Sequence, residues 1–186
     1  IKNIRDMVAI KQRDGLDVTL GMQMVLMPQD GDQILPLVKL GRELGVDYSI
    51  VKHCSDDEYG SLGVDYSKYE SLFDVMREAE SFATDDYHVQ IKWSKIMDEG
   101  KRSYQRCYGA PLLLQLSGSG LVAPCAALFN DRYAKFHIGN ICEERWWDIW
   151  NSERYREVMS YLSSDQFDAQ RMCGTLCLQH KVNEAL

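Results

Sequence analysis

Residues 107–125 read CYGAPLLLQLSGSGLVAPC. Two apolar runs, Leu112 to Leu116 and Leu121 to Ala123, flank Ser117-Gly118-Ser119-Gly120, the pattern of a β-hairpin closed by a glycine-rich turn. Counting back from Gly118 sets Cys125 opposite about residue 112, and Gly109-Ala110-Pro111 lets the preceding segment fold Cys107 toward it. The hairpin is therefore expected to bring two thiols together at its open end.

Downstream, Phe136-His137-Ile138 reads as a short strand, and Glu143 to Trp150 and Glu153 to Leu162 as helices, with Ser152 as the cap of the second. Trp146, Trp147, Trp150 and Tyr155 recur largely at helical spacing and are expected to pack against the hairpin. The tail from Cys173 to Leu186 is read as helical. Cys173 and Cys177 form a C-x3-C pair in which Gly174 eases a tight turn. With Cys107 and Cys125 they make four thiols, the number that a 4Fe-4S cluster or a tetrahedral zinc ion takes. Spacing alone also allows four buried core thiols, since free cysteine is among the most buried residue types. The absence of C-x2-C knuckles favours a cluster over zinc.

Upstream, residues 1 to about 93 alternate helix-period and strand-like segments. An opening helix ends near Gly15, and Val18 to Met27 is an apolar run stopped by Pro28. Asp30 or Asp32 caps a helix carrying Ile34, Leu37, Val38, Gly41 and Leu44, with Gly45 as its stop. Val46 to Lys52 is a second strand. A loop with Gly60 and Gly63 leads to a helix marked by Tyr69, Leu72, Phe73, Met76 and Ala79. Tyr87 to Trp93 alternates, with Tyr87, Val89, Ile91 and Trp93 on one face and His88, Gln90 and Lys92 on the other. This order predicts an α/β fold of parallel strands with helical crossovers, a βα barrel or open sheet. Three strands do not close a barrel and leave an apolar edge at Val18 to Met27, so further strands are expected ahead of Ile1 or from another chain. Lys52, His53 and Lys92 share the C-terminal rim or cavity face of such a sheet and are candidates to line a ligand. Cys54 sits at the same rim.

The chain has 186 residues, 45% of them hydrophobic, enough for a sizeable core, and a net charge of −7 without a basic run, which argues against nucleic acid as a partner. Its apolar stretches are too short to span a membrane. Six cysteines permit three disulfides, but the chain has apolar elements enough to fold without staples, so a reduced, cytoplasmic protein with thiolate-bound metal is the better reading. The opening on Ile1, directly into an amphipathic pattern, is read as a fragment or processed chain.

The run from Cys107 to Cys125 fits C-x12-G-x4-C and is followed by FHIGNICEERWWDIWNSERYREVM and then CGTLC. In this order the motifs strongly resemble the auxiliary-cluster domain of radical SAM enzymes called SPASM, in its shortened one-cluster form, twitch. The match covers about residues 104–180. The preceding segment is similar to the last strands and helices of the partial (βα)6 barrel that binds S-adenosylmethionine. The resemblance implies two parts: residues 1–100, the C-terminal portion of the barrel, and residues 101–186, a small α+β cluster domain with its hairpin. It also implies that Cys107, Cys125, Cys173 and Cys177 hold one auxiliary 4Fe-4S cluster, with Gly120 as the motif glycine. For the full-length protein it implies S-adenosylmethionine, a second 4Fe-4S cluster, an electron donor such as flavodoxin or ferredoxin, and a peptide or small-molecule substrate that this sequence does not select. Cys142 is an alternative ligand, otherwise a buried thiol. The C-x3-C-x2-C motif of the SAM-cleaving cluster is absent, so radical generation is not expected from this chain alone. The rival from another class is a non-catalytic binding module with a structural four-cysteine zinc site.

Overall fold

A glycine stops each of the first two long helices. Helix α1 (Lys2–Asp14) ends on Gly15 at φ 61°, and α2 (Ile34–Leu44) on Gly45 at φ 75°. Both are left-handed positions that favour a residue without Cβ. In the computed structural model, which describes residues 1–186, these helices belong to the first of two compact units, Ile1–Cys54 with Gly63–Glu99. The second unit comprises Gly100–Leu186 and also Ser55–Leu62, a segment expected from the sequence in the first.

In the first unit, β1 (Gly21–Leu26), β2 (Tyr48–His53) and β3 (His88–Ile91) form a parallel sheet in the order β1-β2-β3. The register pairs Met24 with Val51 and Val51 with Ile91. Because side chains alternate along a strand, Met22, Met24 and Leu26, Ser49, Val51 and His53, and Val89 and Ile91 share one face. That face carries the apolar core, where Leu26, Ile34, Val38, Val51, Met76 and Ala79 are buried under α2 and α3 (Phe73–Glu80). Gln23, Val25, Tyr48, Ile50, Lys52, His88 and Gln90 fall on the opposite face, where His88, Gln90, Gln23 and Val25 are exposed.

Several local expectations are corrected. The first strand is shorter than Val18 to Met27, and the segment after it is a 3-10 turn, Pro28–Gln33, rather than a capped helix start. Asp30 lies within that turn at φ −99°, and α2 begins with no side-chain cap. Pro28 explains this, since its fixed φ starts a turn at once, before either aspartate can act as a cap. Trp93 does not extend β3 but opens a short helix, α4 (Trp93–Met97), where its indole N–H donates to Glu80 at 2.9 Å. The helix expected around Tyr69 starts as a 3-10 turn over Tyr66–Leu72.

In the second unit, β4 (Gln115–Leu116) and β5 (Leu121–Ala123) form the hairpin, with Leu116 opposite Val122 and Gly120 at φ 85° in the turn. The third antiparallel strand, β6, is Gly139–Asn140, not Phe136 to Ile138. Phe136 closes a 3-10 stretch instead and is buried with Ile138, so their apolar character reports core packing rather than a ladder. Helix α5 is Trp146–Asn151, shorter than expected, and α6 is Glu153–Leu162. The residue that α5 buries is Ile149, while Trp147 is 71% exposed and Trp146, Trp150 and Tyr155 stack on one another at 5.9 and 4.8 Å. Ile149→Ala is expected to cost about 2–5 kcal/mol, the range for truncating a fully buried branched side chain, as checked by chemical denaturation. Ser152 caps α6 by accepting from the Tyr155 N–H at 3.0 Å, and Ser152→Ala is expected to cost about 1 kcal/mol in the same measurement. The tail is not one helix. Short α7 (Ala169–Met172) and α8 (His180–Ala185) flank an irregular segment that carries Cys173 and Cys177.

Candidate metal centre

Three stretches of the second unit bring the four thiols to one cavity. Cys107, Cys125, Cys173 and Cys177 all line it, with walls that include Leu128, Phe136, Leu162 and Phe167. Cys107 is anchored by its N–H to the Leu162 carbonyl at 2.9 Å, at the end of α6. Cys125 follows β5, and by the observed register it falls opposite Leu113, one residue from the count made on the sequence. Cys173 follows α7, and Cys177 lies just ahead of α8.

The polar groups around the thiols come largely from residues that sequence reasoning did not single out. Asn183 donates to Cys107 Sγ at 3.4 Å and accepts the Gly109 N–H at 2.7 Å. One turn earlier, Gln179 donates to the carbonyls of Leu113 at 3.1 Å and Pro124 at 2.8 Å, bracing both arms beside the hairpin. Gln179 and Asn183 are both buried, and their four-residue spacing puts them on one side of the tail. That spacing was the available signal. The Tyr104 hydroxyl lies 3.5 Å from Cys177 Sγ and 3.2 Å from His180 Nδ1. The Arg102 guanidinium donates to the Gly174 carbonyl, and its Nε is buried without a hydrogen-bond partner.

Gly174 is needed for a reason other than its φ. A Cβ there would lie 2.6 Å from the Asp56 carbonyl oxygen and 2.8 Å from the Asp57 Cα. The Asp56 N–H donates to Thr175 Oγ1 at 2.7 Å, and the Thr175 N–H returns a bond to the Asp56 carbonyl at 2.8 Å. The segment 55–62 is thus a clamp on the C-x3-C turn. Next along it, Glu58 lines the cavity and accepts from the Tyr133 hydroxyl. Burial, then the Glu58 carboxylate, push that phenol up to about 12. Asp57 organises the segment by accepting from Ser61 Oγ at 2.6 Å and from the N–H groups of Ser61 and Tyr59 at 3.0 Å. The Ser61 hydroxyl and N–H hold the Asp57 carboxyl down at about 2. Its contribution to stability is therefore complete above the ordinary carboxylate value of about 3.9 and lost as pH falls through about 2. Asp57→Asn is expected to flatten that acid limb of stability against pH.

Burial raises the thiols of Cys107, Cys125 and Cys173, the last to about 12, and the neighbouring cysteines add to the rise, while Arg102 opposes it at Cys125 and Cys173. Four soft donors around one apolar cavity, with Cys107, Cys125 and Cys173 resisting ionisation, are a set that a cationic centre completes, since it replaces protons with positive charge. The donor set thus fits an iron-sulfur cluster or zinc. The other two cysteines lie elsewhere. Cys142 is exposed, with Sγ 3.7 Å from the Ser119 carbonyl at the hairpin turn. Cys54 follows β2, its N–H donating to the Leu26 carbonyl at 2.8 Å and its carbonyl accepting from the Tyr66 hydroxyl at 3.1 Å.

The three rim candidates do not share a face. Lys52 is on the open face of the sheet, and Lys92 just beyond β3 donates to Gln90 at 2.7 Å on that side. His53 is on the helix-covered face, 5% exposed, with the rings of Tyr66 and Tyr69 at 5.6 and 6.2 Å. Burial holds its imidazole below the ordinary value.

Residues 107–178 match the model of a family described as an iron-sulfur cluster-binding domain, a span that opens on Cys107 and includes the other three cavity cysteines. The family is SPASM, and the similarity is confined to this part of the chain. No curated protein matches the chain. Among solved structures, BtrN in complex with AdoMet and 2-DOIA is similar at 14% identity, covering 87% of this chain and 72% of that one. Its TM-score is 0.32. No helix is long and apolar enough to cross a membrane.

Proposed function

We propose that the chain is the C-terminal portion of a radical SAM enzyme and that its second unit holds one auxiliary 4Fe-4S cluster through Cys107, Cys125, Cys173 and Cys177. The carrying observation is that these four thiols line one apolar cavity inside the segment that matches SPASM. The parts of the reading are residues 1–100 as barrel portion and 101–186 as cluster domain, with residues 55–62 contributing to the latter. When bound, such a cluster supplies one-electron chemistry or a structural link.

The chain's own residues do the rest. The thiolates bind, Asn183 and Tyr104 hold polar hydrogens toward Cys107 and Cys177, and Phe136 and Phe167 keep water from the cavity. With four protein ligands the centre has no position for substrate, which favours an electron-transfer or structural role over Lewis-acid binding. Lys52 and Lys92, on the open sheet face, would line the substrate or S-adenosylmethionine side, whereas His53 would not. The C-x3-C-x2-C motif would come from elsewhere in a longer polypeptide, and an electron donor of the flavodoxin or ferredoxin class and a cytoplasmic setting complete the proposal.

Anaerobic reconstitution followed by metal and sulfide analysis tests it. The expected content is about four irons and four acid-labile sulfides per chain. One zinc with no sulfide would replace the reading with a structural zinc module.

A further inference from the structure

We propose that Arg102 is the counter-charge of the cluster site: its guanidinium, braced on the Gly174 carbonyl inside the Cys173–Cys177 turn, favours the reduced, more negative form of the bound centre. The inference rests on the auxiliary-cluster reading above. Arg102 lies outside the matched span and is no ligand. One arm of its fork donates to Gly174, between two of the cysteines, while its Nε is buried with no partner. A buried donor on a charged group is costly to leave unused, and a carbonyl dipole alone does not compensate a full positive charge. A centre bound by Cys173 and Cys177, on either side of that carbonyl, would compensate it, because four thiolates carry more negative charge than the cluster core cancels.

The carbonyl that Arg102 holds belongs to the residue directly after Cys173, in the turn that ends on Cys177. Net charge and burial are among the properties that set cluster potentials. In the step affected, one electron passes from a low-potential donor to the cluster, and no bond forms or breaks. A fixed positive charge stabilises the product of that step more than its reactant, so it raises the reduction potential.

The test uses the full chain, reconstituted anaerobically, as native protein and as Arg102→Lys, Arg102→Gln and Arg102→Met. Iron and sulfide are measured first, then the midpoint potential by dithionite titration followed by EPR. The neutral variants are expected to shift the reduction equilibrium at least tenfold against the reduced form, about 59 mV for one electron. Arg102→Lys should stay near native, because it keeps the charge and loses only the planar fork. Loss of iron from both neutral variants with retention in Arg102→Lys also supports the proposal, the charge then being needed already by the oxidised cluster. Neutral variants with native iron and native potential overturn it, as does equal loss of iron from all three variants. Absence of iron and sulfide from the native chain is a different result, which sinks the cluster reading itself.

Discussion

Replacing any one of Cys107, Cys125, Cys173 or Cys177 by Ala is expected to remove most of the bound iron after anaerobic reconstitution, whereas Cys54→Ala and Cys142→Ala retain it. Each of the four contributes to one shared cavity, and a centre with four protein ligands loses its closed shell with any of them. The same variants should lower the thermal stability of the second unit, since binding free energy at a site built by folding is also folding free energy. Cys142 stands at the hairpin turn and Cys54 at the end of β2, neither of them on the cavity wall. Serine at a ligand position should keep a weaker, more labile centre. Iron lost on replacing Cys142 but not Cys107 would mean the hairpin region supplies a different ligand. Equal retention in all six variants would mean the cavity thiols bind no cluster.

The second large effect is expected at Gly174. Gly174→Ala would put a methyl group 2.6 Å from a backbone oxygen and 2.8 Å from a backbone Cα, and neither can rotate aside as a side-chain tip would. Overpacking of this kind costs about 1–3 kcal/mol, and relieving it would move the turn away from Asp56 and spoil the placement of the cysteines on either side. Both the melting temperature and the iron content should fall. Gly118→Ala is the control, because its Cβ would meet nothing within 4 Å and its φ is not left-handed. A Gly174→Ala variant with native stability and iron would show that segment 55–62 gives way freely.

Helix ends and the hairpin were legible because local chemistry decides them. Gly15 and Gly45 stop their helices at left-handed φ, and the Ser-Gly-Ser-Gly turn set the hairpin register to within a residue. Trp93 and Phe136 to Ile138 misled for the opposite reason. Alternation or apolar runs mark burial, and burial is equally met by a helix start or a 3-10 stretch once a tertiary partner such as Glu80 is present. The thiols themselves were readable. Their support by Gln179, Asn183, Arg102 and Thr175 was not, because such contacts join residues far apart in the chain, and no spacing rule connects Gly109 to Asn183 or Asp56 to Thr175. His53 does end β2 beside Lys52, but its side chain turns to the helix-covered face while that of Lys52 turns to the open one, as adjacent residues in a strand do.

The path of the backbone between the two units has a practical side. It leaves the first unit after Cys54, returns at Gly63 and leaves again after Glu99, so the second unit is stitched from two separate stretches. A polypeptide trimmed to begin at residue 100 would lack the partner of Thr175, and adding residues 55–62 as a separate peptide would be the direct way to ask whether the stitch is needed. On the ribosome the two ends of that stitch are made 119 residues apart, so it can close only after the later one has emerged.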